Sequence, residues 1–166
     1  MRLIIFSLML QLSLFASASA QADDRPLPPF TVYDARGVAV QSTAIAPTGR
    51  STLLFVKPSC RSCDQLLGAL ARLEQPALAT QLVLVIQAPV EEATAFATYH
   101  LPVELQSVRW FADADASAWN ALDLKGVPVL IATENARIAW TYKGAPARSL
   151  LDSLMRTWLA SDGGVR

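Results

Sequence analysis

Two short, almost uninterrupted apolar runs, TLLFV at 52–56 and LVLVI at 82–86, are the strongest pattern in the chain. Runs of that length and branched composition predict strands buried on both faces of a sheet. Between them Leu66, Leu67, Leu70 and Leu73 recur at helical spacing, predicting a helix over 59–74 that Pro76 stops. Ser59 is placed to cap its first turn, which sets Cys60 at the helix N-terminus and Cys63 one turn inside, with both sulfurs on one face. Further on, EEATAFATYH has acidic residues suited to a helix N-terminus, VRWFA is a short strand and DASAWNAL a third helix. VPVLIAT and RIAWTY read as strands joined by a turn at Glu134-Asn135. A last helix starts near Ala147, with Leu150, Leu151, Leu154 and Trp158 on one side. Upstream, Phe30 and Val32 alternate before an Ala35-Arg36-Gly37 turn, which predicts a β-hairpin preceded by the polar, proline-rich lead-in DDRPLPPF. The βαβαβα order followed by two more strands and a helix predicts an α/β domain.

The first twenty residues, MRLIIFSLMLQLSLFASASA, do not belong to that domain. One positive charge at Arg2, an uncharged apolar stretch and a small-residue end are the layout of a secretory signal peptide cleaved after Ala20 or Ala22. An uncleaved membrane anchor is the alternative for Leu3–Ala20, although Gln11 and the serines dilute its apolar character. Residues 21–166 then form a single domain, with its core at about 26–160. Fourteen Lys plus Arg balance fourteen Asp plus Glu, with no basic cluster, so no electrostatic footprint for nucleic acid is present.

Export changes the meaning of KPSCRSC at 57–63, which holds both cysteines of the chain. Outside the cytoplasm thiols meet oxidising conditions in which disulfides persist. Two cysteines are too few to staple a chain of this length, and a disulfide closing so short a loop removes little chain entropy. Three readings remain: a catalytic dithiol, a Cu(I) or zinc site that uses the thiolates, or a structural cross-link. A metal site would need further ligands, and the single histidine, His100, falls between a predicted helix and LPVEL without a second cysteine pair. As a dithiol, Cys60 is the nucleophile: the helix N-terminus, Lys57 and Arg61 all favour its thiolate. Cys63, deeper on the apolar stripe, is the resolving thiol.

The signal peptide, the PLPPFTVYDARGVAV hairpin, the strand–CRSC–helix unit and GVPVLIATENARIAWTYKGA in that order resemble the thioredoxin superfamily, specifically the exported TlpA-like thiol–disulfide oxidoreductases. The similarity runs from about Pro26 to Leu159. It implies a thioredoxin fold, a mixed central β-sheet flanked by helices, with an added N-terminal β-hairpin. It also implies a periplasmic, monomeric enzyme without a cofactor, exchanging disulfides with client proteins and recharged by a membrane thiol–disulfide partner. Family members are generally reductants that serve cytochrome or metal-centre maturation. The resemblance assigns Pro128 as a cis-proline against the cysteine pair, with Val127 offering backbone groups to an extended substrate segment and Ser59 and Arg61 beside it. A thioredoxin-fold Cu(I) carrier or adaptor is the alternative function.

The chain also departs from the pattern. Ser59 stands where tryptophan is common, the Arg61-Ser62 dipeptide lacks the usual proline, and Leu54 occupies the place of the buried acid of thioredoxins. Asp64 and Glu74 are candidate substitutes for that proton acceptor. A peroxidase reading fails on Lys57, where a threonine would be needed. Trp110, Trp119, Trp140 and Trp158 are expected to pack in or near the core. Arg137 and Lys143 either line a partner groove or, as isolated charges on an edge strand, guard against aggregation, and the second reading is the simpler.

Overall fold

Leu53–Val56 and Leu82–Ile86 are all buried, and the register between them is parallel, from Thr52 opposite Leu82 to Val56 opposite Ile86. These are the two central strands expected from their apolar runs. The computed structural model describes residues 21–46, 48–73 and 75–159, so the expected leader at residues 1–20 and Glu74 lie outside the described residues. Eight strands make one sheet. From edge to edge they are β1 (Gln21–Pro26), β8 (Arg137–Lys143), β7 (Val129–Glu134), β4 (Arg50–Val56), β5 (Leu82–Ile86), β6 (Arg109–Ala112), β2 (Thr31–Tyr33) and β3 (Ala39–Gln41). Strands β4, β5 and β6 are parallel and the other pairings antiparallel, so the sheet is mixed.

Alternation along the strands divides the core into two layers. Leu54, Val56, Leu84, Ile86 and Leu130 face one layer, packed under α2 (Arg61–Ala71), α4 (Val90–Tyr99) and α6 (Arg148–Leu159). Leu53, Phe55, Val83, Val85 and Ile131 face the other, closed by α1 (Ser42–Ile45), α5 (Ser117–Ala121) and residues of the N-terminal hairpin. A further short helix, α3 (Leu78–Gln81), leads into β5. Trp158 is buried and Trp110, Trp119 and Trp140 are partly buried against these layers. Arg50 ties the end of α6 to the sheet: its guanidinium lies 4.7 Å over the Trp158 ring, donates to the Trp158 carbonyl at 3.1 Å and pairs with Glu134. A cation is well placed at a helix C-terminus, where carbonyls are left without helical partners.

Four expectations are corrected. The lead-in includes a strand, because Gln21–Pro26 pairs with β8 and covers what would otherwise be the sheet edge. The hairpin between β7 and β8 turns at Asn135-Ala136, both left-handed, one residue later than expected. Helix α2 covers 61–71 rather than 59–74, and its N-cap is Cys60. In α6 the buried positions are Leu151, Met155, Trp158 and Leu159, whereas Leu150 is exposed. The N-terminal hairpin is as expected: Asp34 accepts from the Arg36 and Val38 amides, and Gly37 takes a φ of 75° that only glycine adopts readily.

Asp113, at the end of β6, is the one buried carboxylate among the described residues. It accepts from the Ala118 and Trp119 amides, both at 2.9 Å, and so satisfies the first turn of α5. Burial pushes its pKa up, against the pull of those two bonds. Asp113→Ala leaves both amides unpaired and is expected to cost about 2–3 kcal/mol, measured by urea unfolding. A raised folded pKa means that the folded state holds this proton more tightly than the unfolded one. The native protein therefore loses stability as pH rises from the ordinary carboxylate range through the folded value, and the alanine variant lacks that slope.

Candidate active site

The site forms where β4 ends. The chain must reverse between a central strand and the helix packed on it, and Ser59 makes that reversal with a φ of 58°. A left-handed Ser59 cannot be the extended residue that precedes a helix. That place passes to Cys60, at φ −105° and ψ 97°. The Cys60 sulfur then does what an N-cap oxygen usually does, accepting from the Cys63 amide at 3.2 Å. Cys60 and Cys63 are joined in a disulfide across one helical turn, with their Cα atoms 5.2 Å apart. Both cysteines are buried, Cys60 with 8% exposure and Cys63 with none, so Cys60 is the one nearer the surface. Asp64, in the first turn of α2, complements the positive end of the helix.

Three polar groups surround the Cys60 sulfur. The Cys63 amide is one, the Ser62 hydroxyl at 3.4 Å the second, and the Val127 carbonyl at 3.9 Å the third. Their effects oppose. Donors stabilise a thiolate, whereas a carbonyl oxygen favours the protonated thiol. Val127 is brought there by the loop before β7, where the Val127–Pro128 peptide is cis and Pro128 is buried. The loop is pinned by Gly144, whose amide donates to the Pro128 carbonyl at 2.8 Å.

Cys60, Cys63, Val127 and Pro128 thus come together, with Ser59 at the turn and Arg61 opening α2, both exposed. Lys57 is exposed as well. Leu54 is fully buried in the layer that also holds Cys63. Asp64 lies on the surface in a groove of about 360 Å³ with Pro58, Ser59, Glu92, Phe96 and His100. His100 caps α4, exposed and stacked on Phe96 at 5.8 Å. Among the described residues, no three His, Cys, Asp or Glu side chains converge on a position where they could hold a metal ion.

In the sequence Ser62 stands out only as the missing proline, yet its hydroxyl lies 3.4 Å from the Cys60 sulfur. For Lys143 the groove reading is the one that the surroundings favour. The β7–β8 register sets it opposite Val129, where with Lys125 it borders a groove of about 270 Å³ along the cis-proline loop. Counting back from the true turn would have located it.

Ser62→Ala is expected to raise the Cys60 thiol pKa and to make the pair more reducing. Loss of one weak hydrogen bond, converted through the two-electron relation, corresponds to about 10–30 mV. Titration of thiolate absorbance and equilibration in glutathione buffers read the two effects.

A mixed sheet of this order, helices on both faces, and a disulfide at the start of a helix facing a cis-proline loop define the architecture. The chain has a thioredoxin-like fold. Among solved structures it is similar to a thiol:disulfide interchange protein from Bacteroides sp., at 13% identity and a TM-score of 0.63, over 86% of this chain and 93% of that one. A Chlorobium tepidum protein described as a thiol:disulfide interchange protein DsbE superposes with a TM-score of 0.65 at 18% identity, over 85% and 99% of the two chains. A secreted Mycobacterium tuberculosis disulfide oxidoreductase, homologous to Escherichia coli DsbE, gives 0.59 at 15% identity, over 77% and 95%. No family model matches the sequence, and no curated protein matches it. Among the described residues no helix is long and apolar enough to cross a membrane.

Proposed function

We propose that this protein is an exported thiol–disulfide oxidoreductase that acts on the disulfides of client proteins through Cys60 and Cys63, and that it works as a reductant. The observation that carries the reading is the asymmetry of the pair: Cys60 keeps 8% exposure at a helix N-terminus against a cis-proline loop, whereas Cys63 is fully buried. The reduced Cys60 thiolate attacks a client sulfur and forms a mixed disulfide, and the client's other thiolate leaves. Cys63 then displaces the client from Cys60, closing the intramolecular disulfide and leaving the client with two thiols. Two electrons pass to the client. A thiol–disulfide donor in the membrane is the proposed source of the two that restore the dithiol.

The reductant direction rests on the resemblance, whose members are generally reductants. It is supported by the Val127 carbonyl, which opposes the two donors at Cys60, and by the exposure of Lys57 and Arg61, where solvent and salt screen their charge. Whatever weakens the thiolate disfavours the reduced form and lowers the potential, whereas the helix N-terminus acts the other way. Export is supported by the leader pattern at residues 1–20.

The test is the reduction potential of the mature protein, equilibrated in dithiothreitol or glutathione buffers with free thiols counted by mass. A value near or below about −220 mV is expected of a reductant. A value near about −120 mV would make it an oxidant that donates its disulfide. Absence of reversible exchange at any poise would overturn the redox reading itself.

A further inference from the structure

The disulfide lies between two grooves of opposite character. On the α4 side Asp64 and Glu92 contribute two carboxylates beside His100. On the cis-proline side the walls are Leu124 and Val129, 4% and 2% exposed, together with Val127 and Pro128, and the rim carries Lys125 and Lys143. Asp123 pairs with Lys125. Lys143 forms no ion pair of its own among the described residues and acts on the same Asp123 from a distance, so this rim carries two lysines against one aspartate. The groove is continuous with the reactive centre, because Val127 both lines it and places its carbonyl 3.9 Å from the Cys60 sulfur.

We propose that the Leu124–Val129 groove receives a client segment that carries an apolar residue and a carboxylate next to its own reactive cysteine. The proposal rests on the redox reading above and names the client chemistry for that site. An apolar side chain removes the half-buried surface of Val127 from water. The client carboxylate meets Lys143, and the same carboxylate on the other side would meet Asp64 and Glu92. The pair of grooves therefore rejects the reversed charge as well as attracting the right one. In a chain of zero net charge such sorting has to be local, since no global field steers the encounter.

The experiment uses the mature protein, reduced beforehand with dithiothreitol and freed of it. It is mixed with synthetic peptides whose single cysteine is capped as a mixed disulfide with thionitrobenzoate. Cys60 attacks the peptide sulfur, coloured thionitrobenzoate leaves as the thiolate, and Cys63 then releases the peptide. Three peptides differ only beside the cysteine: leucine with glutamate, leucine with lysine, and serine with glutamate.

The leucine–glutamate peptide is expected to react about three- to tenfold faster than the leucine–lysine one, the range of one or two exposed ion pairs, and faster than serine–glutamate. Added salt should shrink the charge preference. Lys125→Glu/Lys143→Glu should invert it, and the single Lys143→Ala should weaken it; urea unfolding checks that both remain folded. Equal rates for all three peptides, or a preference that survives the charge reversal, would overturn the proposal while leaving the redox reading intact. Failure of every peptide to react would remove both.

Discussion

Cys63→Ser protein, mixed with client disulfides and resolved on non-reducing gels, accumulates covalent complexes that dithiothreitol releases, whereas Cys60→Ser protein accumulates none. Turnover in both variants falls to that of buffer alone. The expectation follows from exposure and order of events. A client disulfide reaches Cys60, which keeps 8% exposure, and not the fully buried Cys63, so the first bond is expected at residue 60. Resolution needs the second sulfur one helical turn away, already within bonding distance in the oxidised protein. With serine there, the hydroxyl cannot displace the client and the mixed disulfide persists. Equal trapping by the two variants would refute the assigned roles, and trapping only by Cys60→Ser would reverse them.

The parts that were legible in sequence are those set by local pattern. The all-apolar stretches Leu53–Val56 and Leu82–Ile86 are short and rich in branched residues, as strands covered on both faces are, and the Leu66, Leu67, Leu70 stripe has helical spacing; the structure has both. Cys60 and Cys63 at the head of that helix, and Pro128 before β7, came from the motif and its resemblance, and the structure brings them together.

What was not legible depends on contacts between distant segments. Residues 21–26 contain Asp23, Asp24, Arg25 and Pro26, a composition without strand character, and they are extended because β8 offers an unpaired edge. Ser59 has the chemistry of an N-cap, but the strand-to-helix reversal takes it into the left-handed region and gives the cap to a sulfur. Leu150 is as apolar as Leu151, and only the phase of α6 against the sheet decides that Leu151, Met155 and Trp158 face inward.

Leu54→Asp is expected to be the most destabilising single substitution near the site, because it restores the acid of the thioredoxin pattern to a place that this chain has filled with hydrocarbon. Leu54 is opposite Leu84 in β5 and Leu130 in β7, and all three are fully buried. An aspartate there loses the packing of the leucine and sets a carboxyl among apolar neighbours, a combined cost of about 3–5 kcal/mol. That is a large share of the stability of a typical domain.

Desolvation also raises the new carboxyl's pKa, so the folded variant holds its proton at pH values where the unfolded chain has lost it. The deficit is then smallest below about pH 3.9, the unfolded value, and grows as pH rises through the folded one. Urea unfolding of Leu54→Asp at pH 5 and pH 8 should show the larger loss at pH 8, while Leu54→Asn loses the same amount at both. A deficit that does not change with pH would mean that water reaches this layer.

The same observation bears on the mechanism. With Leu54 beneath Cys63 and Asp113 occupied by the α5 amides, no buried carboxylate among the described residues is left to take the Cys63 proton. We propose that this proton leaves to solvent by the opening at Cys60. Release of a trapped client from the native protein should therefore accelerate with pH across the neutral range, in step with the thiolate fraction of Cys63.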